Sequence, residues 1–524
     1  MSWDEPPWQT VASAALIGTE RQPFTVPTTS GKLGQLLSQL GHQSPEAALL
    51  TTAAALSLHQ QAGWVPETSP VSAQEACDRH DLPYCSPRAT RLLQQMIQGQ
   101  YSQLLPEWLS LAAKAGQRVP ELYLPDLLDL GYRQRRLRPA ILSVLGQRGR
   151  WLAAQNLDWN YAVFVSSESD WETGNQTARL LSLQELRSHH PDRARELVQA
   201  TWTQEDARDR AKFLETFRTG LSMADEPFLE EVLGDRSKEV RRTAADLLAS
   251  LPDSRLCQRM LKRVELFVTF KKSAGQASSF EVVLPDACDA DMQRDGIELK
   301  PKSNVGERAW WLQQMISATP LTFWQQPASI KIAELINAAQ RSEWKDVFKA
   351  GWRSAIQRQR DQNWAHAFLT CFRDKSNDEL QSLLNILTPE QREDFVSRCI
   401  QTQTTNLKDS YLWATLLETA QLPDSWSYEF TTSVLSLITQ YLPTVKASQT
   451  LRGSEFLIHS SVRDLLSYFP LRMPVDTVFD ATALRSAAEE TYLTEAMHQF
   501  LAALQFRQDV QHTFMTDHAI EQTR

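Results

Sequence analysis

The sequence predicts an all-α protein, a stack of degenerate helical pairs with one small β-hairpin inserted. Three observations carry that expectation. Apolar residues recur at helical spacing along most of the chain, glycine is scarce at 18 of 524 residues, and Leu, Ala, Gln, Arg and Glu, all good helix formers, abound. A chain of this length exceeds one small core, so it divides into domains or extends as an array of repeats.

The first predicted helix covers residues 8–19 (WQTVASAALIGT) and gives way to an irregular stretch ending at Gly31. Residues 32–40 and 45–62 read as two helices, the second apolar on nearly all sides, which predicts burial. A loop rich in Pro and Ser runs over 65–88. Short helices follow over 89–97, 105–115 and 120–130, the last with Pro120 in its first turn and Gly131 as its stop. The pattern over 137–155 is helical with a break at 146–149. Helices are then expected over 178–188, 191–201 and 204–218.

The most regular stretch is 226–260, EPFLEEVLGDRSKEVRRTAADLLASLPDSRLCQRM. A short helix, a turn at Gly234 and Asp235, and a longer helix started by Asp235 or Ser237 end at Pro252. Val240, Ala244, Leu247, Leu248 and Leu251 form one apolar stripe at i, i+4, i+7, i+8 and i+11. A helical pair with an aspartate at its turn and Val-Arg beyond it resembles one HEAT repeat, the unit of α-solenoids. Leu186, Leu197, Phe213, Leu229 and Leu247 fall at loosely similar places in successive helices. Their uneven spacing predicts degenerate pairs without a strict period.

The character changes near Leu266. LFVTF (266–270) and FEVVL (280–284) are β-branched and aromatic runs on either side of a polar loop, the pattern of a hairpin. An acidic loop over 286–296 and a polar stretch to Gly306 precede helices that continue from 307 through 506, and the tail beyond Thr516 is expected to fray. The predicted division is therefore 1–264, helical and HEAT-like; 265–303, hairpin and acidic loop; and 304–524, helical.

The formal net charge of −9 argues against a general nucleic-acid binder held by phosphate contacts. Six dispersed cysteines fit a reducing compartment, and the acidic start MSWDEPPW lacks the apolar core of a signal peptide. No apolar run reaches the roughly 18 residues of a membrane span. Together these features predict a cytoplasmic protein without membrane contact.

Phosphate-loop, dinucleotide-binding, nucleophile-elbow and zinc-protease motifs are absent from the sequence, so no catalytic residue and no cofactor is assigned, and the reading leans away from an enzyme. Cys77, His80 and Cys85 have a spacing that suits zinc, but a fourth ligand is missing nearby, and a small buried Cys85 beside a solvated His80 is the simpler account. Asp286, Asp289, Asp291 and Asp295 offer oxygen ligands, yet the calcium-loop register fails at Lys300 and a solvated acidic loop is favoured. Val144 to Leu152 (VLGQRGRWL) imitates the GXXG loop with which KH domains clamp a nucleic-acid backbone. Arg133, Arg135, Arg136, Arg138, Arg148 and Arg150 make that segment basic. A glycine-bounded turn, with its arginines paired to carboxylates elsewhere, competes with that reading. Of the tryptophan pair, Trp310 and Trp311, one ring is expected inside and one at a rim. Arg241 and Arg242 read first as partners for the aspartate of a neighbouring turn.

Four stretches, AALIGTERQPF (14–24), LRPAILSVLGQRGRWLAAQN (137–156), EPFLEEVLGDRSKEVRRTAADLLASLP (226–252) and GERAWWLQQMISATPL (306–321), resemble an uncharacterised bacterial family known as a domain of unknown function. The resemblance brings no catalytic residues. It implies a genomic setting near MoxR-type AAA+ ATPases, von Willebrand A-domain proteins and SWIM zinc-finger proteins. The resulting expectation is a non-catalytic interaction scaffold or adaptor, with a MoxR-type ATPase or a von Willebrand A-domain protein as partner. Its expected surface includes Arg133, Arg135, Arg136, Arg148, Arg150, Arg241 and Arg242. The alternative is a protein that binds or modifies nucleic acid on a HEAT-like scaffold through the basic segment 133–150, as some DNA glycosylases use such repeats.

Overall fold

The computed structural model describes residues 6–62, 77, 82–163, 171–172, 174–272, 278–301, 305–326, 330–372, 377–403, 409–444, 454–477 and 493–521. Its residues form two compact units, Met1–Ala76 and Cys77–Arg524.

The first unit holds α1 (Pro6–Ile17), α2 (Gly31–Ser38) and α3 (Pro45–Ala62) around Val11, Leu37 and Leu56. Helix α3 differs from the expectation of a buried helix. Only Ala48, Thr52 and Leu56 are buried, while Leu50 and Leu58 are 69% and 65% exposed. Two short companions give too little surface to wrap an apolar helix on every side.

The second unit begins with α4 (Pro87–Ile97), α5 (Leu105–Lys114), α6 (Leu124–Arg133), α7 (Arg138–Leu142) and α8 (Gly146–Ala153). Ser86 sets the start of α4 by accepting the Ala89 N–H at 3.2 Å. Leu93, Trp108, Leu127, Ile141 and Leu145 are fully buried in the core these helices share. Next come α9 (Gln176–His189), α10 (Pro191–Thr201), α11 (Ala207–Thr216), α12 (Glu226–Val232), α13 (Lys238–Leu248) and α14 (Arg255–Phe267). Asn175, Asp206 and Ser254 cap α9, α11 and α14 through their side chains.

Strands β1 (Val268–Lys271) and β2 (Ser279–Val282) pair antiparallel, with Phe270 opposite Phe280. The hairpin is thus present, but β1 starts later than the sequence predicts because α14 runs on through Leu266 and Phe267. Phe280 enters an aromatic cluster, 4.5 Å from Phe348 and 5.9 Å from Trp352 between ring centroids. That contact joins the hairpin to the helices that follow it.

Those helices are α15 (Ala290–Arg294), α16 (Glu307–Ala318), α17 (Ile332–Gln340), α18 (Lys345–Gln359) and α19 (Gln362–Cys371). After them come α20 (Asn377–Leu384), α21 (Pro389–Gln403), α22 (Ser410–Gln421), α23 (Tyr428–Tyr441), α24 (Ser454–Tyr468) and α25 (Thr494–Glu521). One apolar core runs from Trp171 to Leu504, including residues on both sides of the hairpin. Along it, helices two apart in sequence repeatedly pack together: α9 on α11, α11 on α13, α14 on α16, α16 on α18 and α22 on α24.

Helix α25 then returns to the start of the unit. It places Phe506, Val510 and Phe514 in the core of α4 and α5, with Phe506 stacked 4.6 Å from Tyr101. Arg507 locks this contact through Glu107 at 2.7 Å and through the carbonyls of Pro470 and Met473 at 2.8 and 2.6 Å. Beyond Thr516 the helix runs on to Glu521. All the described secondary structure apart from this hairpin and an isolated bridge is helical, so the all-α class holds. No described helix is long and apolar enough to cross a membrane.

Candidate functional site

The stretch that reads most regularly in the sequence forms one wall of a charged cleft. Val240, Ala244, Leu247 and Leu248 of α13 are buried as the stripe predicts, which turns Glu239, Arg242, Thr243 and Asp246 outward. The turn before α13 is held by Asp235, whose carboxylate accepts the Ser237 N–H at 2.7 Å and receives Arg210 Nη2 at 3.2 Å.

The opposite walls come from α16 and α18 and from the loop after α15. Two cavities, about 590 and 740 Å³, meet where both are lined by Arg218, Asp246, Ser354 and Arg358. Asp246 Oδ1 accepts Arg358 Nε at 2.9 Å, and its other oxygen pairs with Arg218. Burial pushes the Asp246 carboxyl up, but the neighbouring charges of Arg358 and Arg218 outweigh that and hold it below its ordinary value of 3.8. Arg358 Nη1 also donates to the Ser317 carbonyl and hydroxyl at 3.0 and 2.8 Å, so this guanidinium ties α13 to α16 from its place on α18.

The loop wall is fixed by a buried charge network. Asp295, 2% exposed, sits between Arg259 at 2.7 Å and Arg263 at 2.6 Å, and Arg259 also reaches Glu230 at 3.0 Å. Burial disfavours the Arg259 cation, yet Asp295 and Glu230 together raise its pKa. Gly296 follows in a left-handed conformation (φ +90°), and a Cβ there would lie 2.6 Å from the Ala245 Cβ. Glycine therefore lets the loop lie directly against α13. Glu298 and Gln314 exchange two hydrogen bonds, 2.8 and 3.1 Å, that complete the attachment to α16.

A family model matches residues 10–514, spanning both units. The chain belongs to the family of unknown function DUF5691. No curated protein and no solved structure matches it.

In this DUF5691 member the residues singled out by sequence fall in several places. Arg242 lines the first cavity, 61% exposed and 3.9 Å from Glu298. Arg241 donates to the backbone carbonyls of Asp235 and Arg236 at 2.7 and 3.1 Å. The carboxylate of the neighbouring turn is thus held by Arg210, and not by Arg241 or Arg242 as the sequence suggests. Arg133, Arg135, Arg136, Arg148 and Arg150 are all exposed. Among the described residues Arg133, Arg135, Arg136 and Arg150 form no ion pair, which corrects the expectation that carboxylates neutralise them. Arg138 instead donates to the Gly131 carbonyl at 2.9 Å and lies over the Tyr161 ring at 4.4 Å.

The GXXG-like segment is not an open loop. Gly146 makes the turn (φ +66°), but Gly149 is buried within α8, where a Cβ would meet Leu145 Cβ at 2.6 Å and Leu124 Cδ2 at 3.1 Å. Its glycine serves close packing. Cys85 is buried, Cys77 is half-buried and His80 lies outside the described residues. No cluster of metal-ligating side chains occurs among the described residues. In the acidic loop, Asp286 is exposed and pairs with Arg308 at 2.7 Å, and Asp289 caps α15 by accepting the Met292 N–H. Asp295 is the exception to the expected solvated loop, because two arginines supply the partners its burial requires. Trp311 is buried and Trp310 half-buried at the cleft, as expected of the pair.

Sequence reasoning passes over Asp246, Arg218 and Arg358. The one local signal is the polar face opposite the stripe of α13, and it names no partner.

Proposed function

We propose that this DUF5691 member is a non-catalytic interaction scaffold of the cytoplasm, built as an α-solenoid of degenerate HEAT-like pairs, and that the cleft around Asp246 receives a protein partner. The repeated packing of helices two apart in sequence supports the solenoid reading, since stacked helical pairs make such contacts from repeat to repeat. One observation carries the interaction reading. The cleft has fixed polar walls, while Glu215 and Glu239 on its rim are exposed and form no ion pair among the described residues. Charges held on a rigid surface without intramolecular partners set orientation and specificity in protein recognition.

Partners to test first are a MoxR-type AAA+ ATPase and a von Willebrand A-domain protein, the neighbours that the family resemblance implies. The experiment is affinity purification from the native host with the wild-type chain and a Glu215→Arg/Glu239→Arg variant. Enrichment of either partner by the wild type and its loss from the folded variant supports the proposal. Equal recovery by both, or no recovery, refutes it.

A second reading has its own observation. Tyr132, Arg133, Arg135 and Arg136 are consecutive or nearly so and all exposed, and Arg150 is exposed on α8, an arrangement suited to a single-stranded nucleic-acid backbone and bases. Salt-sensitive binding of single-stranded oligonucleotides that disappears in an Arg135→Ala/Arg136→Ala variant would favour it over the protein-partner reading.

A further inference from the structure

We propose that the second cavity of the cleft is a receptor for carboxylates, and that its ligand is an acidic peptide segment of the partner. This rests on the interaction-scaffold reading and names the chemistry of what is bound.

The two cavities differ in charge balance. Arg218, Arg358 and Arg360 line the second cavity against one carboxylate, Asp246. In the first, Arg218, Arg242 and Arg358 face five, Glu215, Glu239, Asp246, Asp295 and Glu298. An anionic segment is therefore favoured at one end of the cleft and opposed at the other.

The arginines also retain unused donors. Each guanidinium offers five N–H groups in a planar fork suited to a carboxylate. Arg358 spends Nε on Asp246 and Nη1 on Ser317, and its Nη2 makes no hydrogen bond among the described residues. Among the described residues Arg218 spends only Nη2, on Asp246, and Arg360 only Nη2, on the Asn385 carbonyl at 3.2 Å. Between them these arginines leave Nε and Nη donors unused among the described residues at a cavity of about 740 Å³, which Leu221 and Leu251 also line.

Arg360 ends α18 in the left-handed conformation, φ 53° and ψ 38°, at the position where helices favour glycine. A side chain there strains the backbone, and its one intramolecular return is an exposed hydrogen bond. An arginine at this strained place, on the wall of a cavity with two other arginines, is accounted for by what its guanidinium binds.

Glycine at this position separates binding from folding, because Arg360→Gly removes the guanidinium and relieves the strain together. The test uses the full chain and fluorescence anisotropy with labelled oligoglutamate, with oligolysine and inorganic phosphate as comparison arms. Expected are saturable, salt-sensitive binding of oligoglutamate, binding of oligolysine that does not depend on Arg360 or Arg218, and no displacement of oligoglutamate by phosphate at equal concentration. Arg360→Gly is expected to weaken oligoglutamate about tenfold with the melting temperature unchanged or raised, and Arg218→Gln to weaken it similarly. Unaltered oligoglutamate affinity in both variants, oligolysine binding weakened by Arg360→Gly as strongly as oligoglutamate binding, or saturation by phosphate alone would each overturn the proposal. A lowered melting temperature of Arg360→Gly with unaltered affinity would assign Arg360 to the Asn385 contact instead. If the anion site fails while the native partner is still captured through Glu215 and Glu239, the scaffold reading stands. If no partner is captured while oligoglutamate binds through Arg360, the scaffold reading falls and the site remains.

Discussion

Asp246 Oδ1 accepts a 2.9 Å hydrogen bond from Arg358 Nε, joining residues 112 positions apart at the line where the two cavities meet. Both side chains are 27% exposed, so the pair is shielded enough for its charge to matter. Replacing Asp246 with Asn keeps the shape and removes the charge that Arg358 faces. The expected loss is about 2 kcal/mol in urea unfolding, the scale of a hydrogen bond to a charged partner. The pH dependence has a definite direction. Asp246 is held below its ordinary value of 3.8 in the folded chain, so its contribution is complete above that value and fades as pH falls through the lowered one. The wild type should lose stability more steeply than Asp246→Asn below about pH 4.

Arg187 and Asp225 form a fully buried pair, with Nη1 and Nη2 donating at 2.9 and 2.8 Å. Arg187 also reaches the carbonyls of Thr219, Pro191 and Gly220 at 3.0, 3.0 and 2.9 Å. Arg187→Ala removes the forked partner of Asp225 and leaves it only Arg195 at 3.2 Å and the Ser222 N–H at 3.1 Å, and should cost about 3 kcal/mol. Arg187→Lys should rescue little, because an ammonium cannot reproduce the fork. Chemical denaturation of the three proteins checks both statements.

Gly149 tests whether the GXXG-like segment is packing or a nucleic-acid loop. Because a Cβ would lie 2.6 Å from Leu145 Cβ, Gly149→Ala is expected to destabilise the fold by about 1–3 kcal/mol. Loss of oligonucleotide binding without loss of stability would restore the loop reading.

Cys257 is buried beneath α13, and burial pushes its thiol up to about 11. At pH 8 it is therefore a protected thiol. Alkylation followed by peptide mass spectrometry should modify Cys257 only on unfolding.

Leu247 is fully buried on α13, and Leu247→Asp places an unpaired carboxylate in the core. Its melting temperature should fall sharply or the chain should not fold. Unchanged melting would contradict the register of the whole wall.

Some of this architecture was open to sequence reasoning and some was not. The stripe from Val240 to Leu248 is a local property of one helix, so periodicity alone reveals which face is buried. Leu266 and Phe267 show where such reasoning fails, because an apolar, aromatic run suits helix and strand alike. The cap at Ser254 and the stripe Leu256, Met260 and Val264 carry the helix through them. The return of α25 onto α5 through Arg507 and Glu107 spans 400 positions, and nothing local at either residue encodes it. The cleft is of the same kind. Glu239, Arg242 and Asp246 announce an exposed polar face, but its purpose depends on α16 and α18 coming to stand opposite.

Hydrogen exchange of the chain with its co-purified partner measures directly whether that partner sits in this cleft. A partner in the cleft gives new protection in peptides covering 215–221, 239–251 and 354–360, lost in the Glu215→Arg/Glu239→Arg variant. Protection confined to 131–150, or unchanged exchange along all three cleft segments, would contradict that placement.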